Sequence, residues 1–110
     1  MSTLGQALDE LAETIAQRAA SGDASSSYTA QLLSEGVARC AKKFGEEAVE
    51  AVLAAVSGDK THFTAEAGDV IYTLLVLVRA SGVSPAEIAA ELQRRAGTSG
   101  LEEKASRKQV

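Results

Sequence analysis

Apolar residues recur one helical turn apart at Leu4, Leu8, Leu11 and Ile15, with polar residues between them. Thr3 and Gln6 can close a capping box ahead of this run, which predicts a first helix ending near Ala20, where "SGDASSS" supplies turn residues. "SYTAQLLSEG" reads as a short helical or ordered connector. A long helix is predicted from about Glu35 to Val56, with Gly58 placed to end it. Asp59 or Thr61 caps a third helix that runs to Ala80 and stops at "SGVSP". Ser84, Pro85 and Glu87 hold the N-cap, N1 and N3 positions of a fourth, ending near Arg95 before Gly97. "GTSGLEEKASRKQV" then reads as a Gly/Ser break followed by a flexible charged tail. With no internal repeat and no alternation long enough for a strand, the expectation is an all-α chain of four helices: one helical domain over 1–96 and a tail over 97–110.

The third helix lacks a polar face between Val70 and Val78, because Ile71, Leu74, Leu75, Val76 and Leu77 point all round its axis. Three other helices of a chain this small can hardly cover it and also bury their own stripes. Central helices packed across a two-fold axis resolve the problem, so a homodimer is expected.

Composition narrows the class. Of 110 residues, 45% are apolar and only 4% aromatic, so the core must be aliphatic. A net charge of −4 argues against nucleic acid as a partner, which wants a basic face. It leaves room for a phosphorylated small molecule if a metal ion supplies positive charge. The single cysteine, Cys40, excludes an intramolecular disulfide or a cysteine-based zinc site and reads as a small packing residue. The start "MSTLGQALDEL" lacks signal-peptide character and the run from Val70 to Val78 is too short to cross a bilayer. The expected location is the cytoplasm, with no membrane partner.

"KKFGEEAVEAV" carries the candidate chemistry. Glu46, Glu47 and Glu50 share an arc roughly a quarter-turn wide at about 100° per residue, and Glu46 and Glu50 repel as an i,i+4 pair. They border the stripe of Val49, Leu53 and Val56. On the third helix Glu66 and Asp69 form an i,i+3 pair beside Val70, Thr73, Val76 and Leu77. Consecutive helices joined by a short turn pack antiparallel, which sets the two acidic groups at similar height. One reading is a pair of solvated faces. The other is a cation site: converging carboxylates at the edge of a dry core are unfavourable alone, and an all-oxygen set points to a hard ion, Mg²⁺ before Zn²⁺. A di-iron centre fits poorly, because the one histidine, His62, lacks the Glu-x-x-His spacing and reads as exposed.

Arg39, Lys42 and Lys43 precede the acids by one turn, as either a solvated basic end or phosphate contacts beside the metal. Gly45 and Gly68 lie inside helices at a cost of about 1 kcal/mol each against alanine. Gly45 falls on the Val49/Val56 side, where it suits either a close helix approach or simple tolerance.

"AKKFGEEAVEAVLAA" followed by "EAGDVIYTLLVLV" resembles the phosphoribosyl-ATP pyrophosphohydrolase family of histidine biosynthesis, within the MazG-like all-α NTP pyrophosphatases. The superfamily pattern EExxE then ExxD falls on Glu46, Glu47, Glu50, Glu66 and Asp69. "SYTAQLL" at Ser27 to Leu33 and "SGLEEKASR" at Ser99 to Arg107 are similar to the histidine-pathway branch. Two positions depart from its pattern: Gly68 replaces an alanine, and Thr73 stands where a histidine often follows the tyrosine. The resemblance implies hydrolysis of phosphoribosyl-ATP to phosphoribosyl-AMP and pyrophosphate by a dimer. It also implies the standalone form, since the cyclohydrolase domain fused in some members is absent from these residues. On this reading Glu47, Glu50, Glu66 and Asp69 hold Mg²⁺, and Glu46 supports them or accepts the proton of the attacking water. Lys42 and Lys43 touch phosphate oxygens, and Lys104 and Arg107 fold over the substrate phosphates. The competing expectations are a housekeeping NTP or dNTP pyrophosphohydrolase and a helical dimerisation module with no chemistry.

Overall fold

The computed structural model describes residues 1–108 and is all-α. Six helices occur among the described residues: α1 (Leu4–Ser21), α2 (Tyr28–Ser34), α3 (Val37–Ser57), α4 (Lys60–Ala80), α5 (Pro85–Arg95) and α6 (Gly100–Lys108). Their starts follow the capping chemistry of the sequence. The Thr3 hydroxyl accepts from the Gln6 N–H at 3.1 Å while the Gln6 side chain accepts from the Thr3 N–H at 2.9 Å. Ser84 and Glu87 repeat the device on α5. Between the two competing caps for α4, Asp59 is the one used, accepting from the His62 N–H at 3.0 Å.

Two helices exceed the four expected. The connector is a full helix, α2, because the Ser27 hydroxyl caps it by accepting from the Ala30 N–H at 3.1 Å and Leu32 anchors it in the core. Of the segment expected as a flexible tail over 97–110, residues 100–108 fold as α6, and 109–110 lie outside the described residues. Ser99 caps it by accepting from the Glu102 N–H at 3.1 Å, and Glu102 and Glu103 place negative charge in its first turn. The Arg94 guanidinium on α5 donates to Glu103 at 2.8 Å and to Glu91 at 2.8 Å, and Arg95 donates to Glu91 at 2.9 Å. These bonds pull the Glu91 carboxyl down from 4.5 to about 2, Arg94 contributing first and Arg95 second, and Arg94 likewise lowers Glu103. A folded-state value below the ordinary one means the contribution is complete above the ordinary carboxylate range and is lost as pH falls toward the depressed value. The α5–α6 link, the Arg94–Glu103 pair, is therefore expected to loosen as pH falls below the ordinary carboxylate range. Amide exchange across Leu101 to Arg107 should accelerate there before that of α3 and α4; uniform loss of protection would contradict it.

The core lies where α1, α2, α3 and α4 meet. Ile15, Leu32, Cys40 and Val76 are buried, with Leu11, Leu33, Tyr72, Leu75, Leu77 and Ala80 packed against them. The Cys40 thiol bonds the Leu32 carbonyl at 3.3 Å, so the cysteine is a packing residue as expected. The longest interface is between α3 and α4, which double back on each other at Gly58, whose φ of 82° suits glycine. Among the described residues no single helix is long and apolar enough to cross a membrane.

The side of α3 that meets its own chain is Cys40, Glu47 and Ala54, spaced seven residues apart. The stripe read from the sequence as buried is not buried within one chain: Val49, Leu53 and Val56 are 60%, 64% and 82% exposed, and the adjoining Val52 is 61% exposed. The line of α3 that carries the small Cys40 and Ala54, with Glu47 between them, meets its own chain, while the bulkier apolar line faces outward. Gly45 belongs to the outer line. A Cβ at Gly45 or at Gly68 would meet nothing within 4 Å, so the expected close approach at Gly45 does not occur inside one chain. On α4, Thr73 and Val76 are buried but Leu74 is 42% exposed, so this chain covers its central helix only in part.

Candidate metal and phosphate site

Placing Glu47 on the inner line of α3 sets a carboxylate inside a helix interface, where it is buried. Glu66 and Asp69 arrive from α4 across the same interface. One carboxylate oxygen from each of Glu47, Glu66 and Asp69 falls within 4.8 Å of the others. The three come from two elements of one chain, and both helices are pinned nearby, α4 by its Asp59 cap and α3 by the core contacts of Cys40.

The partners of these carboxylates are incomplete. The Lys43 ammonium, one turn earlier on α3, lies 3.0 Å from Glu47 Oε1. This bond, then the nearby Tyr28 hydroxyl, holds the Lys43 proton more firmly than usual. His62 Nε2 lies 3.2 Å from Glu66 Oε1. Glu66 Oε2 is buried and has no hydrogen-bond partner. A buried carboxylate oxygen left without donor or cation is costly. Three negative charges against one lysine leave a net deficit of positive charge. Hard oxygen ligands in this number suit Mg²⁺, which takes one or a few carboxylates and keeps waters for the rest of its octahedron. The donor set and the orphaned oxygen thus both fit a hard divalent cation.

Glu50, one turn after Glu47, adjoins the trio without completing it. The charges of Glu47 and then Glu66 push its carboxyl above its ordinary value. Glu46 is exposed and stands outside the trio on the same helix. Of Arg39, Lys42, Lys43, Lys104 and Arg107, Lys43 is the one paired to the trio among the described residues. Arg39 donates to Glu35 at 3.1 Å instead, and Lys42 is exposed. Lys104 and Arg107 are exposed on α6, whose ion pairs run to α5.

Beside the trio opens a pocket of about 380 Å³ lined by Tyr28, Lys43, Glu47, Asp69, Tyr72 and Thr73. Its lining residue Tyr72 on α4 is fastened by a 2.6 Å hydroxyl–hydroxyl bond to Thr29 on α2. Nothing in a sequence separation of 43 residues announces this pair. The Thr73 hydroxyl turns back onto its own helix, donating to the Asp69 carbonyl at 2.9 Å and leaning on that of Val70 at 3.2 Å. Thr73, one of the two positions noted as departures from the pattern, therefore lines the pocket with a self-satisfied hydroxyl. His62 is exposed, as expected, but its contact with Glu66 went unforeseen; the i,i+4 spacing of His62 and Glu66 was the available signal.

Comparison with known proteins gives the family. The family model described as phosphoribosyl-ATP pyrophosphohydrolase matches residues 8–96. The phosphoribosyl-ATP pyrophosphatase 1 of Bradyrhizobium diazoefficiens is 54% identical over 102 residues, covering 93% of this chain and 95% of that protein. The phosphoribosyl-ATP pyrophosphatase of Parvibaculum lavamentivorans is 57% identical over 100 residues, or 91% of each chain. That of Dinoroseobacter shibae is 55% identical over 100 residues, covering 91% of this chain and 97% of its own. The match runs across both acidic helices, and Glu47, Glu66 and Asp69 lie within it. The chain belongs to the phosphoribosyl-ATP pyrophosphohydrolase family.

Proposed function

We propose that this chain hydrolyses phosphoribosyl-ATP to phosphoribosyl-AMP and pyrophosphate, the histidine-biosynthetic reaction for which its relatives are named, with Mg²⁺ as the metal. The observation that carries the reading is the meeting of Glu47, Glu66 and Asp69 within 4.8 Å, in a chain of this family. These three residues, with Glu50 at their edge, would hold the cation. When bound, it would offset the charge of the triphosphate and of the departing pyrophosphate. Lys43, drawn in by Glu47 at 3.0 Å, places an ammonium at the pocket where a phosphate oxygen would approach. Lys42, exposed on the same helix, and Lys104 and Arg107 on α6 are proposed to supplement it. Glu46 keeps an uncommitted carboxylate beside the trio, which suits a group that accepts a proton from the attacking water. The reaction breaks the α–β phosphoanhydride: water oxygen bonds the α-phosphorus, and the β-oxygen leaves with pyrophosphate.

Two copies are expected to pair through the outer line of α3. An apolar stripe at 49, 52, 53 and 56, with Gly45 one turn before it and the half-exposed Leu74 on the neighbouring helix, favours a second copy over open solvent. A cytoplasmic setting fits a nucleotide-derived substrate.

Purified protein incubated with phosphoribosyl-ATP and Mg²⁺, with ATP and dNTPs in parallel, tests the reading by pyrophosphate release. Release from phosphoribosyl-ATP alone, lost on EDTA, is expected. Release mainly from free nucleotides would move the protein to nucleotide-pool hydrolysis. No release from any of them would leave a helical dimerisation module.

A further inference from the structure

We propose that His62 is a positioning residue for Glu66, and through it for the divalent cation; this rests on the reading just given. An ionised carboxylate only accepts hydrogen bonds, so at 3.2 Å from Glu66 Oε1 the His62 Nε2 must carry the proton and donate. The histidine is itself held from below. It occupies the first turn of α4, and its backbone N–H is fixed by the Asp59 carboxylate at 3.0 Å. The chain of contacts therefore runs from the helix cap to the His62 backbone, through the ring, to one oxygen of Glu66. The other oxygen, Oε2, is the buried one without a partner.

The division of labour between the two oxygens gives the contact its consequence. A glutamate has three side-chain torsions, and holding it in one rotamer costs entropy that a bound cation must otherwise supply. With Oε1 engaged by His62, the side chain is already ordered and Oε2 is left free as a ligand. Glu47 has an equivalent support, its Oε1 being held by Lys43 at 3.0 Å, and both supports come from the residue one turn earlier on the same helix. Hydrogen bonds to metal-ligating carboxylates commonly change metal affinity when removed.

The test uses the full chain and Mn²⁺ alone as the probe, titrated by calorimetry. His62→Ala is expected to weaken Mn²⁺ binding by about 10-fold, the lower end of such effects. His62→Gln, which keeps an N–H donor on a flexible arm, should recover most of that loss. In turnover, His62→Ala should raise the Mg²⁺ concentration needed for half-activity by a similar factor and leave kcat at saturating Mg²⁺ nearly unchanged. The histidine side chain is 56% exposed, so neither variant removes core packing. Unchanged Mn²⁺ affinity in His62→Ala, or His62→Gln as weak as His62→Ala, overturns the proposal. Parent protein that binds no Mn²⁺ would overturn the metal reading itself, a failure visible before any variant is made.

Discussion

Glu66→Gln is expected to abolish metal-supported turnover while leaving the metal-free protein as stable as the parent or more so. The two effects have opposite signs because they come from one arrangement. Glu47, Glu66 and Asp69 present carboxylate oxygens within 4.8 Å of one another, and Glu66 Oε2 is buried without a partner. Without a cation these charges repel, and replacing one by a neutral amide relieves the repulsion and the cost of burying charge at the unpartnered oxygen. With a cation, the same substitution deletes a charged ligand and replaces it by a neutral amide. Loss of a principal charge-stabilising group typically costs roughly 100- to 1,000-fold in kcat. A thermal shift assay separates the two signs. At a Mg²⁺ concentration of 100 times its Kd, the parent should gain about 2.7 kcal/mol, and Glu66→Gln should gain almost nothing. A variant that still melts later with Mg²⁺ and turns over at the parent rate would remove Glu66 from the site. Should Glu66→Gln instead lower the melting point of the metal-free protein by several degrees, the carboxylate would be structural.

This experiment rests on a feature that was only half legible in the sequence. The spacing of Glu46, Glu47, Glu50, Glu66 and Asp69 follows from helical geometry, and the short turn at Gly58 sets the acids at matching height. Which of the five converge does not follow, because it depends on which line of α3 faces α4. A wheel cannot choose between the line of Cys40, Glu47 and Ala54 and the line of Val49, Val52, Leu53 and Val56. Hydrophobicity favours burial of the valine and leucine line; side-chain size favours the cysteine and alanine line, which allows the closer approach. Size decides here, so Glu47 is buried and Glu46 stays exposed. Capping was readable at Thr3 and Ser84, and at Asp59 as one of two candidates, because it needs only residues three apart; the Ser27 and Ser99 caps were not read. The helix α6 was read as a tail, since what secures it is an ion pair from Arg94 to Glu103 that no local pattern displays. The Thr29–Tyr72 bond was hidden for the same reason.

Leu53→Asp is expected to convert the paired form to a single chain without unfolding it. Leu53 is 64% exposed in one chain and makes no part of its core, so the helices should persist in far-UV circular dichroism. In a two-fold pair the stripe meets itself, and each substitution is counted twice. Losing one buried leucine forfeits about 1.5–3 kcal/mol, and an unpaired aspartate in its place adds a desolvation cost. Together the two copies weaken association by at least ~4 kcal/mol, or roughly 1,000-fold in Kd. Sedimentation at micromolar protein should then give twice the chain mass for the parent and the chain mass for the variant. A parent that sediments as one chain, or a variant that stays paired, would place the interface elsewhere or nowhere. The same variant also asks what the second copy contributes to catalysis. Glu47, Glu66 and Asp69 all come from one chain, so Mn²⁺ binding should survive dissociation. If turnover survives as well, the pocket is complete in a single chain. If turnover is lost while Mn²⁺ still binds, the second copy supplies substrate contacts that the carboxylate trio cannot.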